Sequence, residues 1–299
     1  MSSFQQKVAV VPDKSKRQGA LAEHLYGKSR VRLTKLGRRA QQHQLSEISV
    51  DITLSGDFED TYISGDNAQV VATDSMKNTV YVLAARHDFD SIESFAKILA
   101  LHFLGQYQHV DGVTVGIIED LWQRIEYEGK PHPHAFFGAG AEKRFASVKA
   151  TRENLVVESG IDNLRVVKTT KSEFVGFIRD SYTTLPEVKD RIFGTSVLAR
   201  WQYQGEGQAF NDCYEAIRRT VLEIFASHNS LSVQQTLHEI AQAALERCPG
   251  VSSITLTMPN QHRIPFNLEP FGLENRNEIF ITTDEPYGLI SASISRVNS

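Results

Sequence analysis

Ser91-Ile92-Glu93-Ser94-Phe95 and, 141 positions later, Ser232-Val233-Gln234-Gln235-Thr236-Leu237 each open a helix at a serine. Behind the first serine, apolar residues recur at Ile92, Phe95, Leu99 and Phe103, and behind the second at Val233, Leu237, Ile240, Ala244 and Leu245. Both series follow helical spacing, so each predicts a helix with one buried stripe. Val113-Thr114-Val115-Gly116-Ile117 then sits at the same offset from the first helix as Ile254-Thr255-Leu256-Thr257-Met258 does from the second. A helix and a strand repeated at one offset are the mark of an internal duplication.

Working outward, extended segments with period-two alternation or β-rich composition precede each helix: Leu45 to Leu54, Val70 to Ala72 and Thr79 to Ala84, then Leu164 to Lys168, Phe174 to Arg179 and Ser196 to Tyr203. Each half thus reads as strands, helices, strands. Strands grouped around helices predict an α+β unit, an antiparallel sheet with its helices on one face. The expected division is a basic, Gln- and Ser-rich tail over 1–23, a first domain over 24–140 and a second over 141–299, with the junction in Gly138 to Ala150.

With 32 basic against 36 acidic residues and a net charge of -4, the chain has no global field for gathering nucleic acid or an anionic membrane. No run approaches a membrane span and residues 1 to 24 hold only the short patch Val8-Ala9-Val10-Val11. Two cysteines, Cys213 and Cys248, fit neither a disulfide framework nor a Cys-rich metal site. A cytoplasmic, reducing setting is the expectation, and Val297-Asn298-Ser299 is not a Ser-Lys-Leu address.

Five motifs carry the chemistry. In Val70-Val71-Ala72-Thr73-Asp74 an apolar run stops on two small polar residues that can cap a helix start, presenting a hydroxyl and a carboxylate. The others are Tyr26-Gly27-Lys28-Ser29-Arg30-Val31-Arg32-Leu33, the segment Phe174 to Arg191 with Tyr182-Thr183-Thr184-Leu185-Pro186-Glu187, the Ser232 to Leu237 run, and Met258-Pro259-Asn260-Gln261-His262. Together, and with Gly129-Lys130-Pro131-His132-Pro133-His134 in order between them, they resemble urate oxidase (uricase) from about Tyr26 to about Arg296. The resemblance implies tandem tunnelling-fold (T-fold) domains, an oligomeric barrel with helices outside, and a homotetramer whose sites are shared between subunits. It also implies cofactor-free oxidation of urate by dioxygen and water to 5-hydroxyisourate and hydrogen peroxide.

A planar anionic heterocycle needs an aromatic face, a cationic fork and an amide that both donates and accepts. The resemblance assigns these to Phe174, Arg191 and Gln234. It assigns proton traffic to Lys28, Thr73 and His262, and the place of dioxygen and then water to Asn260 and Thr73. Asp74 would offer its backbone N–H, Val233 a backbone contact and Ile290 an apolar wall. Taken singly, each residue also has a plainer reading. Phe174 would be core, Arg191 a surface partner of Asp190, Gln234 a helix cap, Lys28 part of a solvated basic strand face with Arg30, Arg32 and Lys35, and His262 a surface or satisfied core residue. Gly27 permits close backbone approach beside Lys28, and Asn260 and His262, two apart, share a strand face. Arg263 stands where many relatives carry an aromatic, and alternation sends it to the opposite face.

His132 and His134 could share a strand face, but no third ligand stands at a recognisable spacing and Pro133 points to a loop, so no metal is expected. Two rival readings remain: a pterin-type T-fold enzyme, which would need a metal-binding histidine set, and a purine-binding or structural oligomer without turnover.

Overall fold

A computed structural model of the chain describes residues 19–205 and 207–297; the first 18 residues of the expected tail lie outside them. The first half runs β1 (Tyr26–Arg38), β2 (His43–Gly56), a short α1 (Glu59–Ile63), α2 (Thr73–Arg86), α3 (Ile92–Gln106), β3 (Val110–Tyr127) and β4 (Lys130–Thr151). The second runs β5 (Leu155–Lys168), β6 (Phe193–Tyr203), α4 (Phe210–Ser227), α5 (Val233–Arg247), β7 (Val251–Thr257), β8 (Asn260–Pro265), β9 (Phe280–Gly288) and β10 (Ser291–Ser295). The strands form one antiparallel sheet in the order β1-β2-β3-β4-β5-β6-β7-β10, with β8 pairing β6 and β9. Each half therefore contributes four strands to the main path, and α3 and α5 occupy corresponding places.

Alternation decides the layers. Along β2, Ile48, Val50, Ile52 and Leu54 are at most 1% exposed while the residues between them stay partly open. Val113, Val115 and Ile117 on β3 and Val197, Ala199 and Trp201 on β6 repeat the pattern. One sheet face is thus apolar, and the helices cover it. The predicted stripes are the covering surface: Phe95, Leu99 and Phe103 of α3 and Ile240 of α5 are fully buried. Ser91 and Ser232 cap the two helices alike, each hydroxyl accepting a backbone N–H three residues on. A single apolar cluster runs from Val31 to Met258 through both halves. Within the first half Arg144 of β4 donates to Glu93 of α3 at 2.7 Å, and this buried pair reaches across the same seam: Arg144 also donates to Asn211 of α4 at 2.8 Å, and Glu93 accepts from Ser159 of β5. The expected junction at 140/141 falls inside β4.

Four local expectations fail. Thr79 to Ala84, rich in β-formers, lies in α2, because Met76, Val80, Leu83 and Ala84 form a helical stripe that packs into the core. Val70 to Ala72 is irregular backbone leading into that helix, with Ala72 as its N-cap. Phe174 to Arg179 is no strand: one isolated bridge joins Phe174 to Val188, and Gly176, at φ 73°, breaks the extended run. His132-Pro133-His134 belongs to β4 rather than to a loop, in the outer part of the long β3–β4 hairpin. Helix α4 was not foreseen, although Tyr214, Ile217, Val221 and Phe225 mark its buried side.

Candidate active site

The first group of site residues gathers where β1 meets α2. A Cβ on Gly27 would stand 1.8 Å from the Ile52 carbonyl oxygen, so only glycine lets β1 and β2 approach this closely before Lys28. Directly after Lys28 the β1–β2 register shifts, with Arg30 at φ 57° donating its N–H to the Asp51 carboxylate. Such a bulge re-aims the side chains on either side of it. At the start of α2 neither Thr73 nor Asp74 acts as the cap. The Thr73 hydroxyl is exposed and has no partner among the described residues, and the first-turn N–H groups, Asp74's included, have no intrahelical acceptor. Asp74 accepts from Lys77 at 2.5 Å and Asn78 at 3.0 Å. Lys77 foremost, with a smaller contribution from the Lys28 ammonium, holds the Asp74 carboxyl below the usual range. Tyr26 fixes the approach, its hydroxyl accepting the Val71 N–H at 2.8 Å. Sequence reasoning missed Tyr26, because a contact across 45 positions leaves no local signal.

The second group surrounds the beginning of β6. Phe174 is tied to Val188 by two backbone hydrogen bonds, Glu173 N–H donates to the Ser230 carbonyl, and Arg191 N–H donates to that of Ser172. This fastens the 172–191 segment to the approach of α5. The Phe174 ring stacks on Phe177 at 4.9 Å and 11°, and the Arg191 guanidinium lies 5.4 Å from the Phe174 centroid. Asp190 does not pair with Arg191; its carboxylate accepts from Thr170 and from the Lys171 N–H. Arg191 makes no ion pair among the described residues and its buried Nε has no partner. Burial lowers its pKa, yet a guanidinium stays charged. Ser172 Oγ and Thr195 Oγ1 nearby are also buried without partners among the described residues. Orphaned polar atoms in a folded protein cost about 1–3 kcal/mol each and need a reason.

Gln234 is exposed in the first turn of α5, and Ser232, not Gln234, performs the capping. Its amide has no partner among the described residues. Val233 beside it is 4% exposed. β8 joins the group through its pairing with β6, Thr195 opposite Asn260 and Gly194 opposite Gln261. Ile290 accepts the Met258 N–H at 2.8 Å, and its Cδ1 and the Asn260 Cβ flank the same side of Gly288. His262, half-buried, stands opposite Thr283, and the β8–β9 register shifts between Asn260 and His262, so simple alternation does not by itself align the two. Arg263 lies against the Gly194 backbone and donates to the Gln261 carbonyl at 2.9 Å.

The two groups do not meet within one chain. Lys28 is on β1, and five strand steps separate it from β6, about 24 Å at about 4.8 Å per step. Elsewhere, a cavity of about 950 Å³ between the β1–β2 hairpin and the start of α3 is lined by none of the predicted site residues. The His132 ring lies 4.5 Å from that of His134, which is 5.9 Å from His43. Among the described residues no group of three or more His, Cys, Asp or Glu side chains is disposed to hold a metal ion, and no helix is long and apolar enough to cross a membrane.

Comparison with known proteins gives this geometry a family. The uricase family model matches residues 24–149 and 157–291. The uricase of Arthrobacter globiformis is 41% identical over 279 residues, covering 93% of this chain and 91% of that protein. That of Dictyostelium discoideum is 40% identical over 283 residues, covering 93% and 98%. Among solved structures, Arthrobacter globiformis uricase has a TM-score of 0.89 at 40% identity over 95% of this chain and 97% of the other. The urate oxidase of Bacillus sp. TB-90 has a TM-score of 0.78 at 25% identity over 92% and 100%. The α+β tunnelling fold expected from the sequence is the fold these proteins share, and the chain belongs to the uricase family.

Proposed function

We propose that the chain oxidises urate with dioxygen and water to 5-hydroxyisourate and hydrogen peroxide, at sites completed by two chains of a homotetramer. The observation that carries this reading is the Arg191 guanidinium: partly buried, without a carboxylate or an Nε partner among the described residues, and set beside the Phe174 ring. A cation left uncompensated next to an aromatic face fits a planar anion. Urate supplies the missing charge to Arg191, an edge to the free amide of Gln234 and a face to Phe174. Stacking contributes about 1–3 kcal/mol, and a bidentate pairing about as much again in discrimination. Val233 and Ile290 wall the ring, and the Asp74 N–H donates to it from the start of α2.

Electrons leave urate readily only after it loses a proton beyond its resting anion, so a base must reach the ring. In this reading Lys28, once its ammonium has given up a proton, draws the proton from the Thr73 hydroxyl, Thr73 acts on urate or its bound water, and His262 completes the relay. Asn260 holds dioxygen over the ring, then the water that replaces peroxide at the adduct. Urate is itself the electron-rich partner, so the step calls for no metal or organic cofactor; position, deprotonation and a water-poor pocket are the protein's part. The sharing of sites follows from the five strand steps between Lys28 and β6. It is supported by sheet edges at β1 and β10, each paired on one side only, since open edges invite a neighbouring chain. A reducing cytoplasmic setting belongs to the same reading, with two free thiols in its favour.

The test is to mix chelator-treated protein with urate and follow purine absorbance together with oxygen uptake. Coupled loss of both, with peroxide formed, is expected. Urate bound without oxygen uptake would favour a non-catalytic purine binder, and activity that vanished and returned with one added metal would favour a pterin-type site.

A further inference from the structure

Cys213 stands in the first turn of α4 and Cys248 at the C-cap of α5. The packing of these helices brings the two together. The Cys248 thiol donates to the Cys213 carbonyl oxygen at 3.7 Å, which places the two cysteines side by side. Both are free; Cys213 is partly exposed and Cys248 is 5% exposed. Arg296 clamps this end of α5, donating to the carbonyls of Leu245 at 2.5 Å and Cys248 at 3.2 Å. The neighbouring Cys213, helped by Arg247 and Arg296, draws the Cys248 thiol down, whereas Cys248 and burial push Cys213 up. One thiol is thereby disposed to attack and the other to follow. Neither belongs to the urate site, because Cys248 and Gln234 sit at opposite ends of α5, about 21 Å apart along its axis.

We propose that Cys213 and Cys248 form a peroxide-reactive dithiol, closed into an intramolecular disulfide by the hydrogen peroxide that the chain's own urate oxidation releases. The source of the oxidant rests on the function proposed above; the pairing of the thiols does not. In the first step the Cys248 sulfur attacks one peroxide oxygen. An S–O bond forms, the O–O bond breaks, and hydroxide leaves and takes the thiol proton as water. In the second, the Cys213 sulfur attacks that of Cys248, the S–S bond forms, the S–O bond breaks, and a second water departs. Two thiols lose two electrons and two protons, and one peroxide becomes two waters.

Reduced protein, freed of reductant, is turned over with urate in air, alkylated, and read by intact mass and peptide mapping. The expected result is a loss of about 2 Da, joint disappearance of both alkylation sites, and a peptide pair joining Cys213 to Cys248 that dithiothreitol reverses. Catalase present during turnover should prevent it. Reagent hydrogen peroxide without urate should give the same bridge, which separates the thiol chemistry from the supply of oxidant. Cys213→Ser should leave a dimedone-trappable sulfenic acid on Cys248 and no bridge, with urate turnover unchanged. Two alkylatable cysteines after reagent peroxide, over-oxidation of one with the other intact, or a bridge between chains would overturn the dithiol. A bridge with reagent peroxide and none during catalase-free turnover would overturn the self-supplied oxidation.

Discussion

Arg191→Lys separates a binding role from a structural one. Among the described residues Arg191 has no ion pair and its Nε no acceptor, and its guanidinium lies over the Phe174 face at 5.4 Å. Lysine keeps the charge, and with it part of the attraction to the ring. It loses the planar fork that meets two acceptors of an anion at once. That loss is worth about 2 kcal/mol, the middle of the range for bidentate recognition of a base edge, or about 30-fold in Kd. Stability should barely move, since no side-chain hydrogen bond among the described residues is removed, and substitutions that leave core, caps and networks intact usually cost about 0.5 kcal/mol or less. Calorimetric titration with a non-oxidisable xanthine analogue, paired with thermal denaturation, reads both quantities. Affinity weakened about 30-fold with Tm unchanged supports the clamp. Affinity within twofold of the parent would remove Arg191 from it, and a fall in Tm with affinity retained would make the residue structural.

Thr73→Val keeps shape and removes only the exposed hydroxyl; steady-state turnover should collapse while analogue affinity holds, and near-normal turnover would end the relay. Glu93→Gln leaves the Arg144 charge facing a neutral amide at a fully buried site. Denaturation should show a loss of about 3–5 kcal/mol, and an unchanged midpoint would mean the buried pair contributes nothing to stability. Exhaustive chelation, checked by elemental analysis, should leave turnover intact, because none of the residues proposed for the clamp and relay needs a metal.

How far the sequence carried depended on the range of each interaction. Helices α3 and α5 were readable because a capping serine and a buried stripe are local signals, and both caps and stripes stand where they were expected. Thr79-Val80-Tyr81-Val82 misled because β-propensity reflects the surface a residue packs against; here Val80 packs as one step of a helical stripe begun at Met76. The missed α4 had an equally plain stripe, hidden by its polar intervening residues. Among site residues, the plainer readings of Arg191 and Gln234 were removed by details no sequence states: Asp190 is occupied by Thr170 and Lys171, and Ser232 does the capping. The separation of Lys28 from Arg191 was equally out of reach, because it depends on strand order across the whole sheet.

The central claim is that Lys28 and Thr73 of one chain serve Arg191 and Gln234 of another. Thr73→Ala and Arg191→Ala proteins, each nearly inactive alone, are denatured together and reassembled, with mixed oligomers verified by native mass spectrometry. A site is intact only when the Arg191→Ala chain gives the first half and the Thr73→Ala chain the second. Random pairing then restores about a quarter of the parent activity by that symmetry. Mixed oligomers whose turnover stays at the level of the single variants would contradict the account and require a complete site within each chain.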